Sequence, residues 1–116
     1  MVLQIGHLTS IADYFVICSG NSGRQVKAIA EAIRQEMARR FCEHGSIEGE
    51  TAANWILLDY RDIIVHVFRE ESRAYYGIEN MWRDAPQIPP TEYDSQALGH
   101  LLSQPAESTT MVHQAS

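Results

Sequence analysis

Cysteine is scarce in this chain: two residues, Cys18 and Cys42, stand among 116, with no C-x-x-C. Two cysteines cannot form a disulfide framework, and this usage is that of reduced thiols in a cytoplasmic protein. Long apolar runs are missing too. The longest span four to six residues, far short of the roughly 20 that a membrane-crossing helix needs. No basic segment followed by an apolar core opens the sequence, so no signal peptide is expected. The fingerprints G-x-G-x-x-G and G-x-x-x-x-G-K-[ST] are absent, which leaves the Gly-bearing turn at 20–25 as a weak phosphate-loop candidate. The five histidines, His7, His44, His66, His100 and His113, show no ligand spacing and no neighbouring cysteine. No metal and no cofactor are expected from them.

Positive charge is the other shortage. The net charge is −6, and its distribution is uneven. Between Glu43 and Asp94 stand eleven acidic residues against four basic ones, Arg61, Arg69, Arg73 and Arg83; the other five Lys and Arg fall between Arg24 and Arg40. A surface of that kind repels phosphate and argues against direct binding of DNA or RNA, whereas a basic protein would be attracted. Solubility alone is the plainer use of the same charge.

What the chain does have is concentrated in residues 55–82, WILLDYRDIIVHVFREESRAYYGIENMW, which hold both tryptophans and three of the five tyrosines. WILLDY and IIVHVF are strand-like runs separated by Arg61 and Asp62, the pattern of an antiparallel hairpin. In the second run Ile63, Val65 and Val67 share one side while Ile64, His66 and Phe68 share the other. Apolar character on both sides predicts a strand covered on both faces, or covered on one and adhesive on the other. Tyr75, Ile78 and Trp82 follow at helical spacing, which predicts one helix face. Upstream, VLQI at 2–5 and YFVICS at 14–19 read as strands. Ser22 with Gln25 forms a capping box that opens a helix over about 21–42, carrying the stripe Val26, Ile29, Ile33, Met37 and Phe41. Gly45 reads as the helix stop, and SIEGE as a short strand. Residues 86–116 hold all four prolines and no Lys or Arg. They read as a flexible tail following a single domain at 1–85, with a marginal helix in SQALGHLLS.

Catalysis has little to stand on. Asp59 and Asp62 flank the hairpin turn and could serve a nucleotidyltransferase with a divalent ion, but turn aspartates commonly cap their own backbone. No Ser–His–Asp or Cys–His set can be singled out. The aromatic set of 55–82 divides between core and a protein-binding patch, since interface hot spots favour Trp and Tyr.

The segments LTSIADYFVICSGNSGRQVKAIA, IEGE, WILLDYRDIIVHVF and R-x-YY-x-I-E-x-M-W, in that order over about His7 to Trp82, resemble the ribosomal silencing factor family, also called Iojap-like. The resemblance implies an α/β fold: a mixed, roughly five-stranded sheet flanked by helices, with a nucleotidyltransferase-like shape. It implies no enzymatic activity. It implies binding to the large ribosomal subunit through large-subunit ribosomal protein fourteen, which obstructs joining of the small subunit and represses translation when nutrients are scarce. Matching positions include Asp13, Tyr14, Glu48, Gly49, Phe68 and Arg73. On the same basis Trp55, Tyr60, His66, Tyr76, Glu79 and Trp82 are expected to hold or border the ribosomal-protein contact. Gly20, Ser22, Asp59 and Asp62 are expected to be structural. Two departures stand out. Arg61 occupies a turn position where relatives commonly carry Gly, and the chain lacks the further helix that relatives carry before VLQI. An open sheet face would follow from the second, and with it a homodimer.

Overall fold

The computed structural model describes residues 1–89. The marginal helix expected in SQALGHLLS and all but the first residues of the expected tail lie outside the described residues. Strands β1 (Val2–Gln4), β2 (Tyr14–Gly20), β3 (Ser46–Glu48), β4 (Trp55–Asp59), β5 (Ile63–Arg69) and β6 (Gln87–Ile88) form one sheet, in the order β3-β4-β5-β2-β1-β6. Helix α1 (Gly23–Phe41) lies between β2 and β3, and α2 (Glu70–Tyr76) and α3 (Ile78–Met81) lie between β5 and β6. The α/β class is as the resemblance implies, but the sheet has six strands rather than five. The sixth falls just past the expected boundary at Pro86 and pairs antiparallel with β1, Val2 opposite Ile88.

β2 and β5 are the central strands and the parallel pair, Val16 opposite Val65 and Cys18 opposite Val67; the remaining pairs are antiparallel. Their near-continuous apolar runs match this position, because a central strand with a helix over each face has no solvent side. All of Ile63–Phe68 is buried. β4 instead alternates, Ile56 and Leu58 buried against half-buried Trp55, Leu57 and Asp59.

α1 begins as its capping box predicts. The Ser22 hydroxyl accepts from the Gln25 amide at 3.2 Å, and the Gln25 side chain accepts from the Asn21 amide. Val26, Ala30, Ile33 and Met37 are buried, packing with Val16, Ile56, Leu58, Val65 and Val67 in one core. The helix ends at Cys42, in keeping with its expected span to about residue 42, and the left-handed cap is Cys42 itself (φ 54°) and not Gly45. Gly45 is needed for a different reason: a Cβ there would sit 2.3 Å from the Asp59 carbonyl oxygen. Both cysteines are free, Cys18 buried and Cys42 exposed.

The second core lies on the opposite face and joins Leu3, Ile5, Phe15, Ile17, Ile64, Phe68 and Ile78, with Trp55, Leu57 and Trp82 partly buried against it. The single helix face expected over Tyr75, Ile78 and Trp82 does not form. Gly77 takes φ 57° and splits the segment into α2 and α3, so Ile78 is buried while Tyr75 is 83% exposed. Arg73 bridges the break. Its guanidinium pairs with Glu79 at 3.0 and 3.1 Å and donates to the Ser19 hydroxyl at the end of β2, a planar fork matched to a carboxylate.

Candidate functional site: an acid-rimmed aromatic face

Directly paired residues of neighbouring strands share a face of the sheet, so the registers determine what the second face carries. One row runs Glu48, Leu57, His66 across β3, β4 and β5; the next runs Ser46, Asp59, Ile64; Trp55 stands opposite Phe68. Two acidic residues, Glu48 and Asp59, therefore rim a patch centred on Trp55 and Leu57. α2 borders the patch through Tyr76, which is 48% exposed and packs on Trp55 with ring centroids 4.9 Å apart.

The rings form one connected cluster. Trp55 stacks on Phe68 at 5.0 Å, Phe15 meets His66 edge-on at 4.6 Å, and Trp82 meets Phe15 edge-on at 5.5 Å. Such offset and edge-to-face pairs add to the stabilisation from burial alone. Within the cluster the Trp55 indole N–H donates to Nδ1 of His66 at 3.1 Å. His66 is 4% exposed, and burial pushes its pKa down to about 4, because an apolar surrounding disfavours the charged ring. Its Nε2 is buried without a hydrogen-bond partner.

Of the six residues expected at the partner contact, the structure brings Trp55, His66, Tyr76 and Trp82 together. Glu79 stands close by in sequence and is engaged by Arg73. Tyr60 is set apart: it is 7% exposed and belongs to the α1 core on the other face. Strand parity carries that signal, since Tyr60 continues the series Ile56, Leu58 and not Trp55, Leu57. By the same parity Leu57 belongs to the site, although it was not among the six, and the register adds Glu48. Phe15 was missed because only the tertiary fold places β2 next to β5.

Asp59 behaves as a turn aspartate, its Oδ1 accepting from the Arg61 amide at 2.8 Å. Among the described residues, no three His, Cys, Asp or Glu side chains are grouped so as to hold a metal ion. Nor, among those residues, is any helix long and apolar enough to cross a membrane.

Comparison with known proteins agrees with this fold. Residues 1–115 match a family model described as "Ribosomal silencing factor during starvation". A protein of Halalkalibacterium halodurans named ribosomal silencing factor RsfS is 41% identical over 88 residues, covering 76% of this chain and 75% of its own length. Its namesake from Bacillus subtilis is 41% identical over 86 residues, 74% of this chain and 73% of its own. Among solved structures, a Chromobacterium violaceum protein superposes with a TM-score of 0.69 at 32% identity, covering 77% of this chain and 72% of that one. This chain belongs to the ribosomal silencing factor family.

Proposed function

We propose that the face formed by Trp55, Leu57 and Tyr76 docks on a protein of the large ribosomal subunit, and that the bound chain blocks joining of the small subunit by occupying its place. The partner that the family resemblance implies is large-subunit ribosomal protein fourteen, and the outcome is reduced translation in the cytoplasm under nutrient limitation. The observation that carries this reading is the chemistry of the face. It is an aromatic and aliphatic centre, left partly uncovered by the helices, with Glu48 and Asp59 at its edge. Large rings at the middle of a patch supply binding energy on desolvation. Carboxylates at its rim steer a basic partner and repel bare RNA. Glu79 and Trp82 border the same region, and His66 lies beneath it.

The role needs no chemical step, so the chain acts as a regulator and not as an enzyme. Sedimentation with purified ribosomal subunits tests it. The chain should travel with the large subunit and, once bound, lower the yield of joined ribosomes. A chain that stays at the top of the gradient with large subunits in excess would refute the reading. A homodimer covering the same face is the second reading, supported by the half-exposed Trp55 and Leu57. A mass of one chain at every dilution in light scattering would dispose of it.

A further inference from the structure

Among the described residues, His66 is the one buried polar side chain, and its two nitrogens are used unequally. Nδ1 accepts the Trp55 indole N–H at 3.1 Å, whereas Nε2 is buried with no partner. We propose that His66 is a positioning residue, which does not touch the partner but fixes the orientation of the Trp55 indole that the docking face presents. The proposal rests on the docking reading above.

The rings around Trp55 cannot do this alone. Phe68 stacks on the indole with ring centroids 5.0 Å apart, and Tyr76 leans on it at 4.9 Å with the ring planes 46° apart; such ring contacts hold the indole at a given height. Rotation about χ2 of an aromatic side chain is broad, so those contacts discriminate weakly between the two edges of the indole. A directional N–H bond to Nδ1 discriminates strongly, because the flipped ring would leave its N–H without that acceptor. The bond in turn requires a bare Nδ1 and places the imidazole proton on Nε2. Burial of the ring favours the neutral form, which keeps that lone pair available. An unmet buried donor at Nε2 is destabilising, so simple space-filling is better served by a phenylalanine. What the imidazole supplies that a phenylalanine cannot is the acceptor. At 4% exposure, behind Trp55 and Phe15, it has no surface to offer a partner.

Two measurements test this. A long-range proton–nitrogen NMR spectrum of the free chain should show His66 as the neutral ring protonated at Nε2. A ring protonated at Nδ1 would overturn the proposal. Large-subunit binding is then compared for His66→Phe, His66→Gln, Trp55→Phe and the double variant His66→Phe/Trp55→Phe, with an unfolding curve for each so that binding is read only where the chain is folded. His66→Phe keeps a ring but no acceptor and should weaken binding about tenfold. His66→Gln keeps a carbonyl acceptor and should recover part of that loss. On top of Trp55→Phe, the His66→Phe change should add nothing, because there is no indole left to orient. The same tenfold loss in both backgrounds would make His66 a direct contact and refute the positioning role. If the unmodified chain never binds the large subunit, the docking reading fails in that first sample and takes the role of Trp55 with it. The NMR spectrum decides the His66 bond separately.

Discussion

On one face of the sheet a single helix of 19 residues lies across the strands; on the other, helices of seven and four residues cover part of it and leave Trp55, Leu57 and Asp59 of β4 only half-buried. The first face packs Val, Ile, Leu, Ala and Met side chains against one another, with Tyr60 the one aromatic in the buried set. The second gathers Phe15, Trp55, His66, Phe68, Tyr76 and Trp82. The same strands supply both, because alternate residues of β4 and β5 point to opposite sides. One face is finished as a core, and the other is a core that stops short at the patch proposed to take a partner. Stability and recognition are thereby assigned to adjacent residues of the same strand.

Leu57 and Leu58 offer the largest test of that division. Leu58 is 1% exposed within the α1 core, so Leu58→Ala should destabilise the fold by about 2–5 kcal/mol through lost burial and the cavity left behind. Leu57 is half-buried on the other face. Leu57→Ala should cost less than about 1.5 kcal/mol of stability, scaled down from burial of a full side chain, while weakening large-subunit binding far more than Leu58→Ala does at a temperature where both are folded. Equal losses of stability in chemical denaturation would mean that the two faces are packed alike, and the comparison would collapse.

Acid should act on the second face through His66. Its folded pKa is about 4 against an ordinary value of 6.5, so between those values the unfolded chain binds a proton that the folded chain refuses. The contribution is fully present above pH 6.5, declines as the pH falls, and is lost by about pH 4. At about 1.4 kcal/mol per pH unit, the whole window amounts to about 3 kcal/mol. Protonation at Nδ1 would also turn the Trp55 bond into two opposed donors. Stability measured from pH 7 to 4 should fall more steeply for the unmodified chain than for His66→Gln. Parallel curves would show that His66 is not the group responsible.

Much of this arrangement is legible in the sequence, and the parts that are not share a physical reason. The stripe of α1, its Ser22 cap and the two-sided burial of β5 follow from local periodicity, which the fold preserves. The α2–α3 break does not: Tyr75, Ile78 and Trp82 have helical spacing, and only the left-handed conformation of Gly77 (φ 57°) takes Tyr75 off the shared face. The end of α1 near residue 42 is legible, but its cap is not: Gly45 reads as the stop because glycine is the usual left-handed cap. Here Cys42 adopts that conformation, and Gly45 serves a close approach to β4 that only the tertiary fold creates. β6 is two residues long, too short for any period, and exists because β1 offers it an edge. Of the candidate site, the aromatic identities are readable, but Tyr60 is expected beside Trp55 at the contact although strand parity within β4 puts the two on opposite faces. That β3 would bring Glu48 beside Leu57 required the register.

A smaller effect belongs to neither face. Arg61, at the turn between β4 and β5, holds φ 70°, the left-handed region where a Cβ crowds the following carbonyl at about 1–2 kcal/mol. A glycine in this position would adopt the same conformation free of that clash. Arg61→Gly should therefore relieve the strain, while the greater freedom of glycine in the unfolded chain returns about 0.4–1 kcal/mol of the gain. The Asp59 bond to the residue 61 amide involves backbone only on that side, so the turn itself survives the change. A net stabilisation of about 0.5 kcal/mol is expected, with both cores untouched because the register of β4 on β5 is unchanged. Large-subunit binding should stay the same or tighten slightly, since removing Arg61 also removes a positive charge near the acidic rim at Asp59. A loss of binding on Arg61→Gly, with stability preserved, would place the partner at the hairpin turn and not on the Trp55 face.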